Sequence, residues 1–267
     1  MPTRVKSAQR VAEILRLLAG SDSGLTLAEV AGSLDVPRSS AHALLVDLAQ
    51  SRLVEAERWG GLVRYRIGLL AFEVGMAFLA QRNLAGEANA VVERVAAGCD
   101  ETAHLAILDQ ADVVYVAKAE SSKAMRVASA VGARFPAHGT GVGKVLLAAL
   151  TREELLTLYP DELLPRLTPT TVADRTELER QLAMIRELGY AFDNEESTLG
   201  LQCLAVPVIG HTGRCVAALS VSIPTVRMSG LDRQEMLDFL RTHSAALSLK
   251  LGWRERGGSL SPKAATS

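Results

Sequence analysis

The stretch from Thr26 to Ser51 constrains the fold more than any other part of the sequence. It reads TLAEVAGSLDVPRSSAHALLVDLAQS, with apolar residues at helical spacing on both sides of Pro37. Thr26 and Glu29 have the spacing of a capping box, which predicts the start of a first helix. Proline suits the first position of a helix, so Pro37 predicts a second helix after a tight turn. Two helices joined in this way form a helix-turn-helix, whose second helix can lie in the major groove of DNA.

The second predicted helix has an outward face that is suited to DNA. Arginine can pair bidentately with guanine, serine adapts to bases or phosphates, and alanine can meet a thymine methyl group. An αα-hairpin within a larger helical domain is the alternative, because this face carries only one permanent cation. On the DNA-binding interpretation, the candidate contact residues are Arg38, Ser39, Ser40, His42 and Ala43, together with Thr26 at the start of the first helix.

The segments on either side of these helices complete a winged helix. Ser7 is predicted to cap an earlier helix, which ends at Gly20. Residues 53–57 and 63–67 are β-prone and enclose a Gly-rich turn, which predicts a hairpin. The N-terminal region is therefore expected to form a winged helix-turn-helix domain.

This region carries only a small positive charge. Residues 1–66 hold nine Lys or Arg against seven Asp or Glu, while the whole chain has a formal net charge of −1. A monomeric DNA-binding protein usually shows a stronger basic face, so we expect two copies to act together in a homodimer. Arg58 and Arg64 on the predicted hairpin are further candidates for phosphate contacts, with merely solvated arginines as the alternative.

A predicted helix over residues 68–83 links the two halves of the chain. Its residues Leu69, Phe72, Met76 and Leu79 fall at heptad-like spacing, which suits packing against the same helix of a second chain. Packing within one chain fits the pattern equally well. Pairing of two dimers through the second domain is a further expectation.

The composition changes after this helix. Apolar β-prone runs, among them HLAILD, DVVYVAKAE, QCLAVPVIG and RCVAALSVSI, alternate with helical patterns. Helices are predicted from Gly141, from Thr151 with its capping partner Glu154, and from Asp174. This alternation indicates an α+β domain with a largely antiparallel sheet. The predicted organisation is a winged helix-turn-helix domain at 1–67, a linker helix at 68–83, an α+β domain at 84–252 and a disordered tail at 253–267.

The overall composition narrows the class of protein. No apolar run is long enough to span a membrane, and the N-terminal MPTRVKSAQR lacks the apolar core of a signal peptide. We therefore expect a cytoplasmic protein without a membrane partner. The three cysteines, Cys99, Cys203 and Cys215, lack the paired spacing of a zinc site or a redox motif.

The most distinctive stretch of the second half is HGTGVGKVLLA. It fails as a phosphate loop, because His138 replaces the first glycine and Val145 replaces the final Ser or Thr. No nucleotide or other cofactor is therefore expected. A Gly-rich helix start at Gly141 could instead bind a small anion through free N–H groups and the helix dipole. Close packing is the alternative role of these glycines, and Lys144 within the helix is predicted to be solvated.

A second chemical candidate is the stretch GYAFDNEESTLGLQCLAVPV. Cys203 lies there near acidic residues, but no histidine is close enough in sequence to act as its base. A metal site built from Asp193, Glu196 and either His104 or His138 stays open as an alternative. Carboxylates at the end of a strand are more often surface groups, so we expect no catalytic residues and no bound metal.

Together these motifs resemble those of the IclR family of bacterial transcriptional regulators. The resemblance rests on VPRSSAHALL in the winged helix, on GARFPAHGTGVGKVLLA and on the spacing from Gly189 through Asp193 and Glu196 to Cys203. It implies a dimeric or tetrameric DNA-binding repressor or activator with a GAF-like effector-binding domain. One position departs from the family pattern, because Gly139 stands where Ala is usual, which predicts a looser loop.

The resemblance also implies where a small organic or aromatic acid would bind. The family's pocket positions fall here on Gly141, Val142, Asp193 and Cys203, with Met125, Val127, Ser220 and Ser222 as the expected wall. A carboxylate at the helix start would accept N–H bonds from Gly141 and Val142. Asp193 and the two serines would then hold polar groups at the other end, and Leu105 would add to the apolar wall.

Three functions are compatible with this reading of the chain. The favoured one is a DNA-binding regulator, more often a repressor, whose partners are double-stranded operator DNA, a small effector and a second copy of itself. The main alternative is a cysteine-dependent hydrolase, or another small-molecule enzyme, with an appended DNA-binding domain. A constitutive architectural DNA-binding protein comes last, because the second domain is too large and too patterned to lack a role.

Overall fold

The computed structural model describes residues 5–59, 61–81, 87–123 and 129–254. The chain divides into two compact units, with the division between Arg82 and Asn83. Met125 and Val127, both expected in the effector pocket, lie outside the described residues, as does the tail from residue 255. None of the described helices is both long enough and apolar enough to cross a membrane.

The first unit is a winged helix-turn-helix. Its elements are α1 (Lys6–Ala19), β1 (Leu25–Thr26), α2 (Leu27–Ser33), α3 (Arg38–Gln50), β2 (Val54–Trp59), β3 (Leu62–Ile67) and α4 (Leu69–Gln81). The three strands form an antiparallel sheet in the order β1-β3-β2. Apolar residues from every element except α4 make up its core, including Ile14, Val30, Leu45, Val54 and Tyr65.

Local sequence signals explain how the helix-turn-helix forms. The capping box of Thr26 and Glu29 is present, with the Thr26 hydroxyl accepting the Glu29 N–H at 3.3 Å. The turn between α2 and α3 places Asp35 in the left-handed region at φ 51°, which Asp tolerates better than most residues. Pro37 occupies the N-cap position of α3, one residue earlier than expected.

One predicted cap is wrong. The helix α1 begins at Lys6 with Val5 at the N-cap position, and no side chain there accepts a backbone hydrogen bond. Ser7 therefore lies inside the first turn. The apolar stripe of Ile14 and Leu18 against the core decides where this helix forms, and the cap contributes little.

The second unit contains one six-stranded antiparallel sheet in the order β6-β5-β4-β9-β8-β7. Its strands are β4 (Thr102–Asp109), β5 (Asp112–Ala119), β6 (Arg134–Pro136), β7 (Ala191–Asn194), β8 (Leu201–Ile209) and β9 (Cys215–Pro224). Its helices are α5 (Ala88–Cys99), α6 (Gly141–Ala148), α7 (Arg152–Leu158), α8 (Arg175–Leu188), α9 (Thr225–Met228) and α10 (Arg233–Lys250), with a 3-10 turn at Ala137–Gly139 before α6.

Helices cover both faces of this sheet. On one face α5 and α10 pack against the sheet, where Val91 of α5 and Leu247 of α10 share a core with Leu219 of β9. On the other face α6, α7 and α8 form a second core, which includes Leu147 and Leu182. Burial on both faces explains why the central strands read as continuous apolar runs and lack polar alternation.

The predicted helix starts at Gly141, Thr151 and Asp174 are confirmed. Thr151 and Glu154 form a capping box at the start of α7. Asp174 accepts the backbone N–H of Glu177 at 2.8 Å and caps α8. Gly189 ends α8 in the left-handed conformation at φ 74°, where a side chain would be strained.

Two glycines in the first turn of α6, Gly141 and Gly143, are predicted to differ sharply in how much an added Cβ atom destabilises the protein. A Cβ atom on Gly143 would lie 2.1 Å from the carbonyl oxygen of Ala137, so Gly143→Ala must move backbone atoms. A Cβ atom on Gly141 would meet only other Cβ atoms at 3.5 to 3.7 Å. Urea denaturation should show a loss on the order of 3 kcal/mol for Gly143→Ala.

Gly141→Ala is the matched control in the same turn of α6, and we expect its unfolding free energy to stay within about 1 kcal/mol of the parent chain. Equal stability of the two variants would contradict the close approach of α6 to the 3-10 turn.

Candidate functional site

The exposed face of α3 presents the residues that the sequence predicted for DNA. Arg38, Ser39, His42 and Ala43 are exposed and Ser40 is half-buried. The opposite face of the helix buries Ala41, Leu45 and Leu48 in the core of the first unit. The helix therefore leaves its polar face exposed, while its apolar face is packed in the core.

The other residues predicted to contact DNA differ in exposure and in their hydrogen bonds within the protein. Arg58 is exposed on β2. Arg64 instead donates a hydrogen bond to the backbone oxygen of Gly24 at 2.8 Å, and it is half-buried. The Thr26 hydroxyl is engaged with Glu29 in the capping box. Arg64 and Thr26 thus have roles within the domain itself.

A cavity of about 260 Å³ opens in the second unit between the start of α6 and the sheet. Six of the predicted pocket residues line it: Gly141, Val142, Asp193, Cys203, Ser220 and Ser222. The sequence did not indicate the remainder of the lining, which consists of Tyr115, Ser129, Phe135, Thr140, Ser197, Thr198, Gly200, Leu201 and Pro224. These residues come from strands and loops whose meeting depends on the sheet order.

Leu105 is not part of this wall, contrary to expectation. It is fully buried in the core on the opposite face of the sheet, with Val91 and Leu219. Successive side chains of a strand point to opposite faces, so the neighbours of Leu105 on β4 face the cavity side instead. His104 is the neighbour that contributes there, through its contacts with Tyr115 and Ser129.

The start of α6 supplies free backbone donors to the cavity. Thr140 caps the helix by accepting the Gly143 N–H at 3.0 Å, and its carbonyl accepts the Lys144 N–H at 2.9 Å. Within the described residues, the N–H groups of Gly141 and Val142 have no acceptor in the protein. Free donors at a helix N-terminus favour an anion, because the helix dipole adds to their partial positive charge.

Asp193 lies beside this helix start, and its expected contact with a polar group of the ligand stays a prediction. Its Cβ atom would be 3.5 Å from a Cβ atom on Gly141. The carboxylate accepts the Glu196 N–H at 2.7 Å and the Ser197 hydroxyl at 3.0 Å. Burial raises the pKa of Asp193 to about 6, and the nearby Glu196 carboxylate acts in the same direction.

Lys144 is buried, and the prediction that it is solvated is wrong. Only 2% of the residue is exposed, and its Nζ donates to the Glu196 carboxylate at 2.5 Å and to Gln181 at 2.9 Å. Burial of an ammonium group is tolerated here because a carboxylate and an amide oxygen replace its water. The ion pair joins α6 to the loop after β7, and the hydrogen bond to Gln181 adds α8. The same loop carries the pocket residues Ser197 and Thr198.

Close to this pair, two buried polar atoms have no hydrogen-bond partner among the described residues. They are the second carboxylate oxygen of Glu196 and Nδ1 of His138. His138 donates from Nε2 to the carbonyl of Pro165 at 2.8 Å. Burial lowers the pKa of His138, so its ring is neutral near pH 7 and Nδ1 is an acceptor.

A chain of neutral hydrogen-bonding groups forms another wall of the cavity. The Cys203 thiol contacts the Ser222 hydroxyl at 3.1 Å, and Ser222 lies 3.4 Å from Nδ1 of His104. Nε2 of His104 contacts Ser129 at 2.7 Å. Burial lowers the pKa of His104 to about 3, with the Lys118 charge acting in the same direction, so the imidazole is neutral.

Cys203 lacks the features of a nucleophile. Burial raises the pKa of its thiol well above the usual range, and the Asp193 carboxylate raises it further. Its hydrogen-bond partner is a serine, which is not a general base. No group of three or more possible metal ligands is present among the residues that the structure describes, so the alternative metal site has no support there.

Aromatic rings form another part of the wall. Tyr115 stacks on His104 with ring centroids 4.4 Å apart, and Phe135 lies 5.3 Å from Tyr115. These rings offer apolar and edge contacts to a flat body of similar size. Gly139, outside the cavity lining, is buried beneath Leu167, so its loop is packed and not loosened.

A winged helix-turn-helix unit followed by an α+β unit with an internal pocket defines a transcriptional regulator with a C-terminal effector domain. Residues 7–58 match the IclR helix-turn-helix domain, and residues 76–249 match the bacterial transcriptional regulator IclR C-terminal family. The chain belongs to the IclR family of bacterial transcriptional regulators.

Characterised relatives support this assignment. The HTH-type transcriptional regulator BhcR of Paracoccus denitrificans is 35% identical over 95% of this chain and 90% of its own length. The HTH-type transcriptional repressor AllR of Salmonella paratyphi A is 34% identical over 93% of each chain.

Solved structures share the fold. A putative transcriptional regulator from Rhodococcus sp. RHA1 is 28% identical, with a TM-score of 0.77 over 93% of this chain and 98% of that one. The inducer-binding domain of the PobR transcription factor from Acinetobacter, solved as a double mutant with 3-hydroxybenzoic acid, is 31% identical. Its TM-score is 0.55 over 60% of this chain and 95% of that one.

The buried pair of Lys144 and Glu196 predicts strong non-additivity between two substitutions. Lys144→Met leaves the Glu196 carboxylate buried without its cation, which should cost about 3–5 kcal/mol of stability. Combining Lys144→Met with Glu196→Gln removes both charges and should restore most of that loss. Chemical denaturation of the three variants at pH 7 measures the difference.

Arg152→Met is the control, because it removes an ion pair with Glu179 in which the Arg152 side chain is 75% exposed. Its cost should stay below about 1 kcal/mol. A double variant no more stable than Lys144→Met alone would contradict the buried pair.

Proposed function

We propose that this protein is a cytoplasmic repressor whose binding to operator DNA changes when a small aromatic carboxylate occupies the cavity of the second unit. The observation that carries the proposal is the cavity itself, with free N–H donors of α6 on one side and aromatic rings on another. The family membership supports the DNA-binding half of the proposal.

The size and lining of the cavity favour a small acid. A volume of about 260 Å³ lies below the roughly 300–1,000 Å³ of pockets for drug-sized ligands. The N–H groups of Gly141 and Val142 suit a carboxylate, and the hydroxyls of Ser220 and Ser222 suit a polar substituent. Tyr115 and Phe135, whose rings lie side by side, suit a flat apolar body packed against them.

A related protein supports the aromatic acid. The PobR inducer-binding domain, 31% identical to this chain, was solved with 3-hydroxybenzoic acid. A benzoate with one hydroxyl group matches the combination of N–H donors, serine hydroxyls and rings in the present cavity. We therefore take 3-hydroxybenzoate as the test ligand for this chain.

Repression is the proposed direction of regulation. The relative AllR, 34% identical, is named as a transcriptional repressor. A repressor responds to an effector only if the effector prefers the arrangement that binds DNA less well, because equal affinity for both arrangements shifts nothing. The acid would then release the operator.

The DNA-binding form is proposed to be a homodimer, with pairing of dimers into a tetramer as an extension. On α4, Leu69, Phe72 and Val74 are 46%, 62% and 59% exposed. Leu69 and Phe72 are three residues apart and share one side of the helix, and exposed apolar side chains of this kind fit burial against a second copy. The side chains of Met76 and Leu79 lie outside the described residues. Two copies would present two α3 helices to half-sites about 10 base pairs apart or a multiple of that spacing.

Arg38 is the strongest candidate for base recognition. We expect Arg38→Ala to lower the affinity for a specific operator by about tenfold to a hundredfold, which corresponds to roughly 1–3 kcal/mol for a bidentate contact. Fluorescence anisotropy with a two-half-site operator and with the same DNA lacking one half-site measures both this contact and the need for a dimer.

Arg152→Ala is a matched control, since it removes an exposed arginine from the second unit. Unchanged operator affinity of Arg38→Ala would overturn the assignment of α3, and equal affinity for both DNA molecules would overturn the dimer.

The effector site predicts a variant that separates DNA binding from its regulation. Gly141→Val adds two methyl groups beyond a Cβ position that already contacts Asp193, Ala205 and Cys203, so it should block the cavity at the helix start. We expect calorimetry to show loss of 3-hydroxybenzoate binding, and operator binding without the acid to be unchanged. The acid should no longer release the DNA.

Gly230→Val is the control, because Gly230 is exposed and lies on a turn away from the cavity. It should bind the acid as the parent chain does. Wild-type affinity of Gly141→Val for the acid would place the effector elsewhere.

A further inference from the structure

The cavity contains an anionic group of its own. Among the described lining residues, Asp193 is the only one with a carboxylate, and none is Lys, Arg or His. The cavity therefore meets an acidic effector with one negative charge already in its wall. Two adjacent carboxylates cannot both stay ionised in a buried site without cost, because each disfavours the charge of the other.

We infer that the effector carboxylate binds together with one proton, which Asp193 takes up from solvent, so that the occupied cavity holds one negative charge and not two. This inference rests on the proposed function, since it assumes an acid in the cavity. It adds a role for Asp193, whose protonation would make the affinity for an acid depend on pH.

The cavity is small enough to keep the two carboxylates near each other. Its volume of about 260 Å³ suits one small acid, and Asp193 is part of its wall. At the helix start the approach is closest, because a Cβ atom on Gly141 would lie 3.5 Å from the Cβ atom of Asp193, within the range at which like charges shift each other's protonation.

Among the residues that the structure describes, the positive charge that acts on Asp193 is Lys144 on α6, which is already paired with Glu196 at 2.5 Å. The other ionisable groups that face Asp193 are Glu196 in the loop after β7, Cys203 on β8 and Tyr115 on β5. Burial holds the thiol and the phenol protonated, so neither adds a compensating charge.

Asp193 is better suited than the ligand to carry the proton. Its pKa is already raised to about 6, whereas an unperturbed carboxylic acid titrates near 4. Protonation also changes its hydrogen-bonding role. Both oxygens of the carboxylate accept bonds, from the Glu196 N–H and the Ser197 hydroxyl. A protonated Asp193 would in addition donate an O–H to the effector carboxylate, which is a strong charge-assisted bond.

The consequence is a pH-dependent affinity that applies only to acids. Below pH 6 Asp193 is largely protonated before binding, and no proton need be taken up. Above pH 6 each unit of pH makes the required proton about tenfold less available. With a free-state pKa of about 6, the affinity for the acid should fall by roughly 25-fold between pH 5.5 and pH 7.5.

The experiment is calorimetry on the full chain with 3-hydroxybenzoate and its neutral isostere 3-hydroxybenzamide at pH 5.5, 6.5 and 7.5. At pH 7.5, titrations in two buffers of different ionisation enthalpy count the protons taken up. We expect about one proton per bound acid, the stated fall in affinity for the acid, and no pH dependence for the amide.

Asp193→Asn tests the assignment to this residue. The side-chain amide keeps an acceptor for the Glu196 N–H and offers an N–H to the ligand, so the acid should bind the variant with an affinity that changes less than about twofold across the pH range. Asp161→Asn is the control, because Asp161 is an exposed carboxylate in the same unit, and it should keep the full pH dependence. Circular dichroism at each pH confirms that every variant is folded.

The outcomes separate this inference from the proposed function. Equal affinity for the acid at all three pH values would overturn proton uptake and leave the effector proposal standing. A pH dependence that persists in Asp193→Asn would overturn the role of Asp193. Absence of binding by the acid at every pH would overturn the effector proposal and this inference with it.

Discussion

The ion pair between Lys144 and Glu196 holds the effector unit in its working shape. Lys144 extends from α6, whose first residues form one wall of the cavity. Glu196 belongs to the loop after β7, which contributes Ser197, Thr198 and Gly200 to the same cavity. A buried charge without its partner is costly, so the pair fixes the position of the helix relative to the loop. The cavity lies between these two elements and the sheet.

The polarity of the cavity follows from the same arrangement. The free N–H groups of α6 provide positive potential without a cationic side chain, and the chain from Cys203 through Ser222 to His104 provides neutral hydrogen bonds. Neutrality of His104 is a product of its burial, because a charged imidazole would lose its water there. The site therefore combines one ionisable carboxyl group, Asp193, with neutral donors and acceptors.

The residues whose positions the sequence does not predict have one feature in common, since their neighbours are distant along the chain. Lys144 was expected in solvent because single lysines in helices usually are, and its partner Glu196 is distant along the chain. Leu105 was placed in the cavity because apolar runs in a buried strand do not show which face each residue takes. Tyr115 and Phe135 carried no signal, since ordinary strand residues become a ligand wall only when the sheet order brings them to α6.

The sequence by itself determined the elements that depend on local chemistry. Capping pairs such as Thr26 with Glu29, the helical spacing of apolar residues and Gly189 at a left-handed position all act over a few residues, so the winged helix and the α+β order could be predicted. Only the tertiary structure decided which side chains share the cavity. Strand pairing brings Cys203 opposite both Asp193 and Ser222, and the close packing of α6 on the sheet then encloses these groups. Burial, which shifts their protonation, is a property of that packing and not of any local pattern.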